Sequence, residues 1–335
     1  MISIKDISKR CGVSVATVSK ALNNQSDISE ETKKMVKRVA DEMGYMPNAS
    51  ARALRTKRSH SIGVLFVDEA GSGLTHEFFS HVLNAFKTAA ESRGYDLVFI
   101  NRKIGDRSMT YLEHCRYRGV DGVVMACIDF YDKEVIDLVK SELAVVTIDY
   151  VFNDKISVIS DNVKGMAELV TYIYEMGHRR IAYIHGEPST VTQARLSSFY
   201  RTLEDFGESV PDEYVRQGLY HDLESTKRLT KELLELPQPP TCIIYPDDFA
   251  AMGGVRVIRE KGLSIPEDIS VAGYDGVRLA KVMTPELTTI VQDAKGMGML
   301  AAEKLIELIE HPKSTVIEHV VVEGKVFPGK SVKKL

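Results

Sequence analysis

IKDISKRCGVSVATVSKALN, residues 4–23, predicts two short helices joined by a tight turn. Ile4, Ile7 and Cys11 recur at spacings of three and four residues, which places them in one apolar stripe on a helix. Gly12 then permits the tight backbone of a turn. The pattern therefore indicates a first helix that ends near residue 11.

A second helix is predicted over about Val15–Leu22. The hydroxyl of Ser14 is placed to cap its N-terminus. Val18 and Leu22 lie four residues apart, so that both turn toward one core. Two short helices joined by a turn of three or four residues containing Gly form the helix-turn-helix unit.

A third helix follows in the sequence. Ser29 precedes two acids, Glu30 and Glu31, which suit a helix N-terminus. The apolar positions of this helix are Met35, Val36, Val39 and Met43, and Gly44 ends it. Since three helices within about 45 residues can enclose a small core, residues 1–45 are predicted to be an all-α domain built around a helix-turn-helix.

The outward residues of the second helix are candidates for DNA contact, because in a helix-turn-helix this helix enters the major groove. Lys20 can donate to O6 and N7 of guanine, and Val15 and Ala16 can touch the methyl group of thymine. Thr17 and Ser19 suit phosphate oxygens, with simple solvation of both as the alternative. The full set of predicted DNA-facing residues in this domain is Ser14, Val15, Ala16, Thr17, Ser19, Lys20 and Asn23.

Charge is unevenly distributed along the 335 residues. The formal net charge is −4, yet residues 1–60 carry 12 Lys and Arg against 6 Asp and Glu, a net charge of +6, and the rest of the chain carries −10. A small basic head on an acidic body indicates a polyanionic partner for the head alone. The alternative, a basic tail kept for solubility, does not account for the helical pattern inside it.

The composition excludes several classes of protein. With 44% hydrophobic and 27% charged residues, the chain is typical of soluble globular proteins. Its four cysteines are scattered, without a C-x-x-C pair or zinc-finger spacing, which excludes a disulfide scaffold and argues against structural zinc. No apolar stretch approaches the roughly 20 residues that span a bilayer, and the N-terminus meets charges too early for a signal peptide. We expect a cytoplasmic protein with no membrane partner and no cofactor.

Residues 46–60 read as a linker that contains a short helix. Pro47 is followed by an Ala-rich run, and a helix of two turns is not stable alone in water. We expect this helix to order against a second copy of the chain and DNA, with Leu54 as a wedge in the minor groove. The basic residues expected to hold the DNA backbone are Arg52, Arg55, Lys57 and Arg58.

From residue 61 onward, apolar runs alternate with helical patterns. The first predicted strands are Ile62–Val67, Leu97–Ile100, Val120–Met125 and Val145–Ile148, and a second series of helices and strands begins after Asp161. Such alternation indicates parallel sheets covered on both faces, here in two doubly wound α/β lobes. We predict a first lobe of residues 61–160 with 290–320, and a second lobe of residues 161–289 with 321–335.

Charged residues stand just past several predicted strand ends. Ligands of parallel sheets bind at the carboxyl ends of the strands, and two facing lobes make a cleft that can close. The candidates for ligand contact are Asp149, Asp247, Asp248 and Asp275, together with Arg195 in the helix after Gly186. Carboxylates and a guanidinium group around a dry pocket suit a hydroxyl-rich ligand. Capping or interface roles for the acids are the alternative.

Residues 4–23 strongly resemble the opening of the LacI/GalR family of bacterial transcription regulators. PNASARAL at 47–54 resembles the hinge helix of that family. The likeness continues in GHRRIA at 177–182, IPEDISV at 265–271 and GYD at 273–275. It covers nearly the entire chain and implies a body like that of a periplasmic sugar-binding protein.

The resemblance also implies a function. It implies a homodimer that binds a palindromic double-stranded DNA operator and represses transcription, with its affinity modulated by a small effector such as a sugar or sugar derivative. It assigns effector contacts to Asp149, Arg195, Asp247 and Asp275, and it adds Asn48 of the hinge to the residues at DNA. Phe78 and Phe79 resemble the aromatic pair near the family's cleft, with core packing as the alternative for either residue.

Three departures from the family pattern concern the effector site. The family often has Asn-Asp where this chain has Asp247-Asp248, a second Asp at Gly276, and Gly at Ser198. These differences leave open whether the effector is an unusual sugar or a ligand of another kind.

Other functions explain less of the sequence. An enzyme is disfavoured, since the chain has no P-loop, nucleophile elbow or H-E-x-x-H motif. A transport-type sugar-binding protein would need an export signal and would lack residues 1–60. A nonspecific architectural DNA-binding protein would leave the two lobes unexplained. Because no Leu heptads precede Leu335, a dimer is expected rather than a coiled-coil tetramer.

Overall fold

The computed structural model describes residues 2–46, 58–67 and 71–335. The chain divides into two compact units between Ser59 and His60, which we call the head and the body. The predictions made for Asn48, Arg52, Leu54, Arg55 and Lys57 lie outside the described residues.

The head contains three helices, α1 (Ile4–Cys11), α2 (Val15–Leu22) and α3 (Glu30–Glu42). The hydroxyl of Ser14 accepts a hydrogen bond from the backbone N–H of Thr17 at 3.0 Å and caps α2. The predicted helix-turn-helix is therefore present, with a third helix after it.

A small apolar core holds these helices together. Ile7, Val18 and Val36 are fully buried, one from each helix. Leu22, which the sequence predicts to face inward, is only partly buried at the edge of this core. Gly12 adopts a left-handed φ of 69° after α1, the conformation that glycine tolerates at a helix end.

The body alternates helices and strands. Its helices are α4 (Glu77–Ser92), α5 (Tyr111–Arg118), α6 (Lys133–Val139), α7 (Asn162–Glu175), α8 (Thr190–Asp205), α9 (Leu223–Leu234), α10 (Asp248–Glu260), α11 (Arg278–Val282) and α12 (Ala294–Glu310), with 3-10 turns at Gly73–Thr75 and Asp212–Tyr214. Its strands are β1 (Ser61–Phe66), β2 (Asp96–Phe99), β3 (Lys103–Ile104), β4 (Arg107–Ser108), β5 (Gly122–Ala126), β6 (Ala144–Ile148), β7 (Ile156–Ser160), β8 (Ile181–His185), β9 (Val215–Gln217), β10 (Cys242–Ile244), β11 (Ser270–Ala272), β12 (Thr289–Val291), β13 (His319–Val322) and β14 (Lys325–Phe327).

The first lobe is built on a six-stranded sheet in the order β13, β7, β6, β5, β1, β2, with every neighbouring pair parallel. Successive side chains of each strand enter different cores. Val64 and Val124 pack in the cluster that contains residues of α4 and α12, whereas Leu65 and Met125 pack in the cluster with residues of α5 and α6. The sheet is therefore covered on both faces.

The second lobe is built on a four-stranded parallel sheet in the order β11, β10, β8, β9. One face packs with α7 and α8 and the other with α9 and α10. β12 and β14 form a separate antiparallel pair, as do β3 and β4. The predicted fold class, a helical head and an α/β body of two parallel sheets, is confirmed.

The chain passes more than once between the two sheets. β7 ends at Ser160 in the first sheet, and α7 begins at Asn162 in the second lobe. Near the C-terminus β13 returns to the first sheet, where Val321 and Val322 pair with Ile159 and Ser160. This strand thus extends two residues beyond residue 320, where the sequence places the end of the first lobe.

Candidate ligand cleft and nucleic-acid interface

The N-terminal turn of α2 presents its side chains to solvent. Val15 is 44% exposed, and Ser14, Ala16 and Lys20 are also exposed. The ammonium group of Lys20 forms an ion pair with the carboxylate of Asp27, and both side chains are about half exposed. This surface has the apolar and cationic groups that base edges in the major groove require.

The other predicted DNA contacts of the head take part in helix capping. The hydroxyls of Ser14 and Thr17 lie 2.9 Å apart, and both residues belong to the N-terminal turn. Asn23 ends α2, and its Nδ2 donates to the carbonyl oxygen of Ser19 at 2.5 Å. These polar groups are therefore held in place at the two ends of α2.

A cavity of about 350 Å³ lies at the carboxyl ends of both sheets of the body. Its lining includes Asp149, Arg195, Asp275, Phe78 and Phe79 of the predicted effector-site residues, but not Asp247 or Asp248. Every segment that lines it follows a strand or begins the next helix, as expected of parallel sheets.

Arg195 is only 4% exposed and lies on α8. Its Nε donates to Oδ1 of Asn162 at 2.7 Å, and one terminal nitrogen donates to the carbonyl oxygen of Pro246 at 3.2 Å. The guanidinium group stacks over the ring of Tyr274, 3.5 Å from its centroid. Gly165 makes room for that ring, since a Cβ there would lie 2.4 Å from the Tyr274 hydroxyl. The arginine is thus fixed, with further N–H groups left to bind a ligand.

Asp275 sits in a strained loop beside Arg195. Its φ is 101°, in the left-handed region that non-glycine residues rarely adopt. One carboxylate oxygen lies 3.9 Å from the Arg195 guanidinium and accepts a hydrogen bond of 2.7 Å from Nε2 of Gln292. The next residue, Gly276, has a φ of 69°, and a Cβ there would lie 2.4 Å from Cα of Val291. This close approach and the left-handed backbone leave no room for a side chain at residue 276.

Asp149 directly follows β6 and has a φ of 58°. Its Oδ1 accepts a hydrogen bond from the backbone N–H of Ser160 at 2.8 Å. Burial raises the pKa of its carboxyl group to about 6, against the opposing effects of the Ser160 hydrogen bond and of Arg195. A carboxyl group that titrates there can accept or donate hydrogen bonds to ligand hydroxyls.

Asp247 does not line the cavity. It is 2% exposed, and its Oδ1 accepts from the backbone N–H of Ala250 at 2.7 Å, which caps α10. Its Oδ2 accepts from the backbone N–H of His221 at 2.8 Å, and His221 does line the cavity. Burial raises the pKa of the Asp247 carboxyl group to about 6. Asp247 therefore lies behind His221, and its contact with an effector stays a prediction.

Asp248 supports the loop that carries Asp275. It is fully buried, and its Oδ2 accepts a hydrogen bond from the backbone N–H of Val277 at 2.9 Å. Burial raises the pKa of this carboxyl group well above its ordinary value. Its place in the structure is that of a loop anchor rather than a ligand contact.

Aromatic side chains form much of the cavity wall. Phe78 lines the cavity but also belongs to the core of the first lobe. It therefore lies at the cleft and packs in the core at the same time. Phe130 and Tyr150 stack with centroids 4.3 Å apart and line the cavity with Tyr131 and Tyr220. Aromatic faces and a few fixed polar groups are typical of sites for small ligands.

Several site residues escaped the sequence analysis. His76, Tyr220, His221 and Gln292 line the cavity, and Asn162 orients Arg195. Tyr220, His221 and Gln292 each follow a strand too short to stand out as an apolar run. β12 reads TIV, an apolar triplet that points to Gln292 after it, whereas β9 reads VRQ and gives no such signal for Tyr220 and His221.

Family models match both parts of the chain. The model of bacterial regulatory proteins, lacI family, matches residues 3–48. The model of a periplasmic binding protein-like domain matches residues 170–332. The two matches correspond to the helical head and to the part of the body that contains the second lobe.

Similar proteins cover the chain from end to end. It is 32% identical to the probable HTH-type transcriptional repressor ExuR of Bacillus subtilis, over 100% of this chain and 99% of that protein. It is 33% identical to the HTH-type transcriptional repressor PurR of Serratia proteamaculans, over 99% of this chain and 97% of that protein. A crystal structure of the lac repressor dimer bound to operator and the anti-inducer ONPF matches with a TM-score of 0.81 and 25% identity, over 99% of each chain.

Proposed function

Because the chain belongs to the lacI family of bacterial regulatory proteins and is a DNA-binding transcription regulator, we propose that it represses transcription as a homodimer on a palindromic operator. A small hydroxyl-rich effector in the cleft of the body modulates its affinity for that operator. One chain combines two features, and this combination carries the proposal. The second helix of its helix-turn-helix exposes Val15, Ala16 and Lys20, and its body contains a cavity built around a fixed Arg195.

The head reads the operator through α2. Lys20 binds a guanine edge, and Val15 and Ala16 contact a thymine methyl group in the major groove. Ser14, Thr17, Ser19 and Asn23 position the helix on the phosphate backbone. The ion pair of Lys20 with Asp27 joins two exposed side chains, and such a pair contributes little free energy. Lys20 can therefore give up its ion pair with Asp27 and form a hydrogen bond to a base instead.

Two copies of the chain bind one operator. Two-fold symmetry places two copies of α2 in successive major grooves of a palindromic site. Within the proposed linker of residues 46–60, Leu54 enters the minor groove, and Asn48, Arg52, Arg55 and Lys57 contact the backbone. The operator-bound lac repressor dimer, which this chain matches at 25% identity, supports this arrangement.

The charges of the cavity favour an uncharged, hydroxyl-rich effector. Among the described residues that line it, four are acidic, namely Asp129, Asp149, Glu187 and Asp275, and Arg195 alone is a Lys or Arg. An anionic ligand would meet net repulsion, whereas ligand hydroxyls can donate to the carboxylates and accept from the guanidinium group. We propose direct contacts with Asp149, Arg195, Asp275 and Phe78, while Asp247 acts from behind His221.

The proposal includes no catalytic activity and a cytoplasmic location, where a repressor meets DNA. Among the described residues, no helix combines the length and the apolar character that a bilayer crossing requires. The carboxyl groups of the cavity serve as hydrogen-bonding groups in this proposal, not as general acids or bases.

Selection of bound duplexes from a random DNA pool tests the proposal. The full-length chain is used at near-physiological salt, because nonspecific phosphate contacts weaken steeply as salt rises. We expect enrichment of one palindrome, bound by two chains. Enrichment of a half-site alone would contradict a dimeric repressor. If no sequence is enriched, either with or without an added mixture of sugars and nucleobases, that result would contradict a sequence-specific repressor.

A further inference from the structure

Two histidines from opposite lobes meet in the cleft. His76 immediately precedes α4 of the first lobe, His221 follows β9 of the second lobe, and both line the cavity. Their ring centroids lie 3.8 Å apart, with a tilt of 31° between the planes. Nδ1 of His221 also lies 3.3 Å from the hydroxyl of Ser72 in the first lobe.

Each ring is held from behind by its own lobe. His221 has a φ of 55° and donates its backbone N–H to Asp247, while its ring stacks on Phe249 at 4.7 Å with an angle of only 7°. The ring of His76 packs edge-on against Phe79 at 5.0 Å. The result is a continuous row of four rings that runs from Phe249 through His221 and His76 to Phe79 and crosses from one lobe to the other.

The neighbouring residue makes a second contact across the cleft. Oε1 of Glu77, the first residue of α4, accepts a hydrogen bond from the backbone N–H of Arg278 at 2.8 Å. Arg278 begins α11, which packs on α10 of the second lobe. The N-terminal turn of α4 thus joins the second lobe through both His76 and Glu77.

We propose that His76 and His221 form a clasp that holds the lobes closed around the cavity, and that Asp247 is a positioning residue that acts through His221. Opening the cleft must separate two stacked rings and expose both to water, so that the pair favours the closed state. Because apparent ligand affinity scales with the fraction of protein in the binding-competent state, the clasp sets how tightly an effector is held. This inference deepens the proposed effector site and does not depend on DNA binding.

The clasp is tested by the distance between the lobes. This distance is measured by double electron–electron resonance on the full-length chain without any added ligand. Spin labels are attached at Arg116→Cys on α5 and Arg228→Cys on α9, two exposed helical positions away from the cavity. The labelled chain is mixed with an excess of unlabelled chain, so that a dimer rarely contains two labelled copies. Cys11→Ser and Cys127→Ser remove the two partly exposed cysteines, and the buried Cys115 and Cys242 remain.

We expect one narrow distance distribution for the parent chain. His76→Ala and His221→Ala should each raise the ratio of longer to shorter distances about two- to tenfold, the range that an aromatic pair supplies. The double variant should open no further than the more open single variant. His221→Phe should retain the parent distribution because it keeps the stacking, and Asp247→Asn should fall between the parent and His221→Ala.

His114→Ala is the matched control, since His114 is also buried in the first lobe but, among the described residues, hydrogen-bonds only within that lobe, to Asn101 and Arg118. It should leave the distribution unchanged. An unchanged distribution in both alanine variants and in their double variant would overturn the clasp. So would equal opening in His114→Ala, or opening in His221→Phe as large as that in His221→Ala. Since no DNA or effector is present, these outcomes are separable from failure of the proposed repressor function.

Discussion

At the scale of single residues, function here depends on charged groups that the fold already holds in place. Lys20 is paired with Asp27 on the surface of the head, whereas Arg195 is buried and fixed by Asn162, Pro246 and Tyr274. An exposed pair is easily exchanged for another partner, while a buried arginine is not. Lys20 is therefore suited to reversible binding of DNA, and Arg195 is suited to a ligand that fits one fixed arrangement of hydrogen-bond donors.

The base-reading role of Lys20 predicts a change in specificity. Lys20→Ala should relax the base preference at one operator position and cost about 1–3 kcal/mol of discrimination there. Lys9→Ala removes an exposed lysine of α1 instead and should leave the preference unchanged, with at most a uniform loss of affinity. The measurement is binding to a set of duplexes with single base changes. Equal, sequence-independent losses in both variants would remove Lys20 as a base reader.

The raised pKa of Asp149 predicts a pH-dependent gain in stability. Because its pKa of about 6 in the folded protein lies above the ordinary 3.8, the folded state binds the proton more tightly than the unfolded state. The resulting stability is complete below about pH 3.8 and is lost as the pH rises through about 6. Asp149→Asn stays neutral and can still accept from Ser160. Its unfolding midpoint should exceed that of the native chain at pH 8 by about 4–5 °C, because a pKa shift from 3.8 to about 6 corresponds to about 3 kcal/mol of stability.

The comparison is made by thermal unfolding across the pH range from 4 to 8. The difference between native chain and variant should shrink as the pH falls toward 4. A difference that grows toward acid, or none at pH 8, would show that the Asp149 carboxylate is not destabilised by burial.

At the scale of elements, strands that lie in runs of apolar residues were predictable, whereas β7, β12 and β14 were not. β1, β5 and β6 are buried on both faces, and their sequences SIGVLF, GVVMA and AVVTI are almost entirely apolar. β7 reads ISVIS, in which serines interrupt the run, and β12 and β14 have three residues each. Their place depends on pairing with distant strands, which a local pattern does not contain.

The same limit applies to the cleft. Asp149 and Asp275 follow strands, so that topology alone predicts their place at the carboxyl edge. The contact of His76 with His221 joins residues 145 positions apart and depends on how the lobes face each other. Asp247 follows a strand as well, but it turns back to cap α10 and hold His221. Position after a strand therefore predicts proximity to the cleft, not direct contact with a ligand.

The two serine caps of the head offer a matched test of α2 as the DNA-reading element. Ser14 caps α2 and Ser29 caps α3, each by accepting from the N–H of the threonine three residues later. Ser14→Ala and Ser29→Ala should each reduce the stability of the head by about 1 kcal/mol. At a temperature where both variants are folded, Ser14→Ala alone should weaken operator binding, because only α2 enters the groove.

Chemical denaturation followed by circular dichroism gives the stabilities, and operator titration gives the affinities. Equal losses of affinity in the two variants would mean that folding of the head, and not the N-terminal turn of α2, limits binding.

At the scale of the whole molecule, the proposed function assigns DNA binding to the basic head and binding of a small ligand to the acidic body. The segments that cross between the lobes carry residues of the site itself, since Ser160 binds Asp149 and Gln292 binds Asp275. A ligand that moves these carboxylates therefore acts on the crossing segments directly. Linkage then requires effector and operator to change each other's affinity by the same factor.

The most direct test of this account is titration of the operator with full-length protein, with and without a compound that a thermal-shift screen of sugars and nucleobases shows to bind. For the native chain we predict a change in operator Kd of about 5- to 150-fold, the usual range of such coupling. Arg195→Ala should bind the operator as the native chain does without the compound and should show no change with it. A compound that stabilises the body yet leaves the operator Kd of the native chain unchanged would contradict the account.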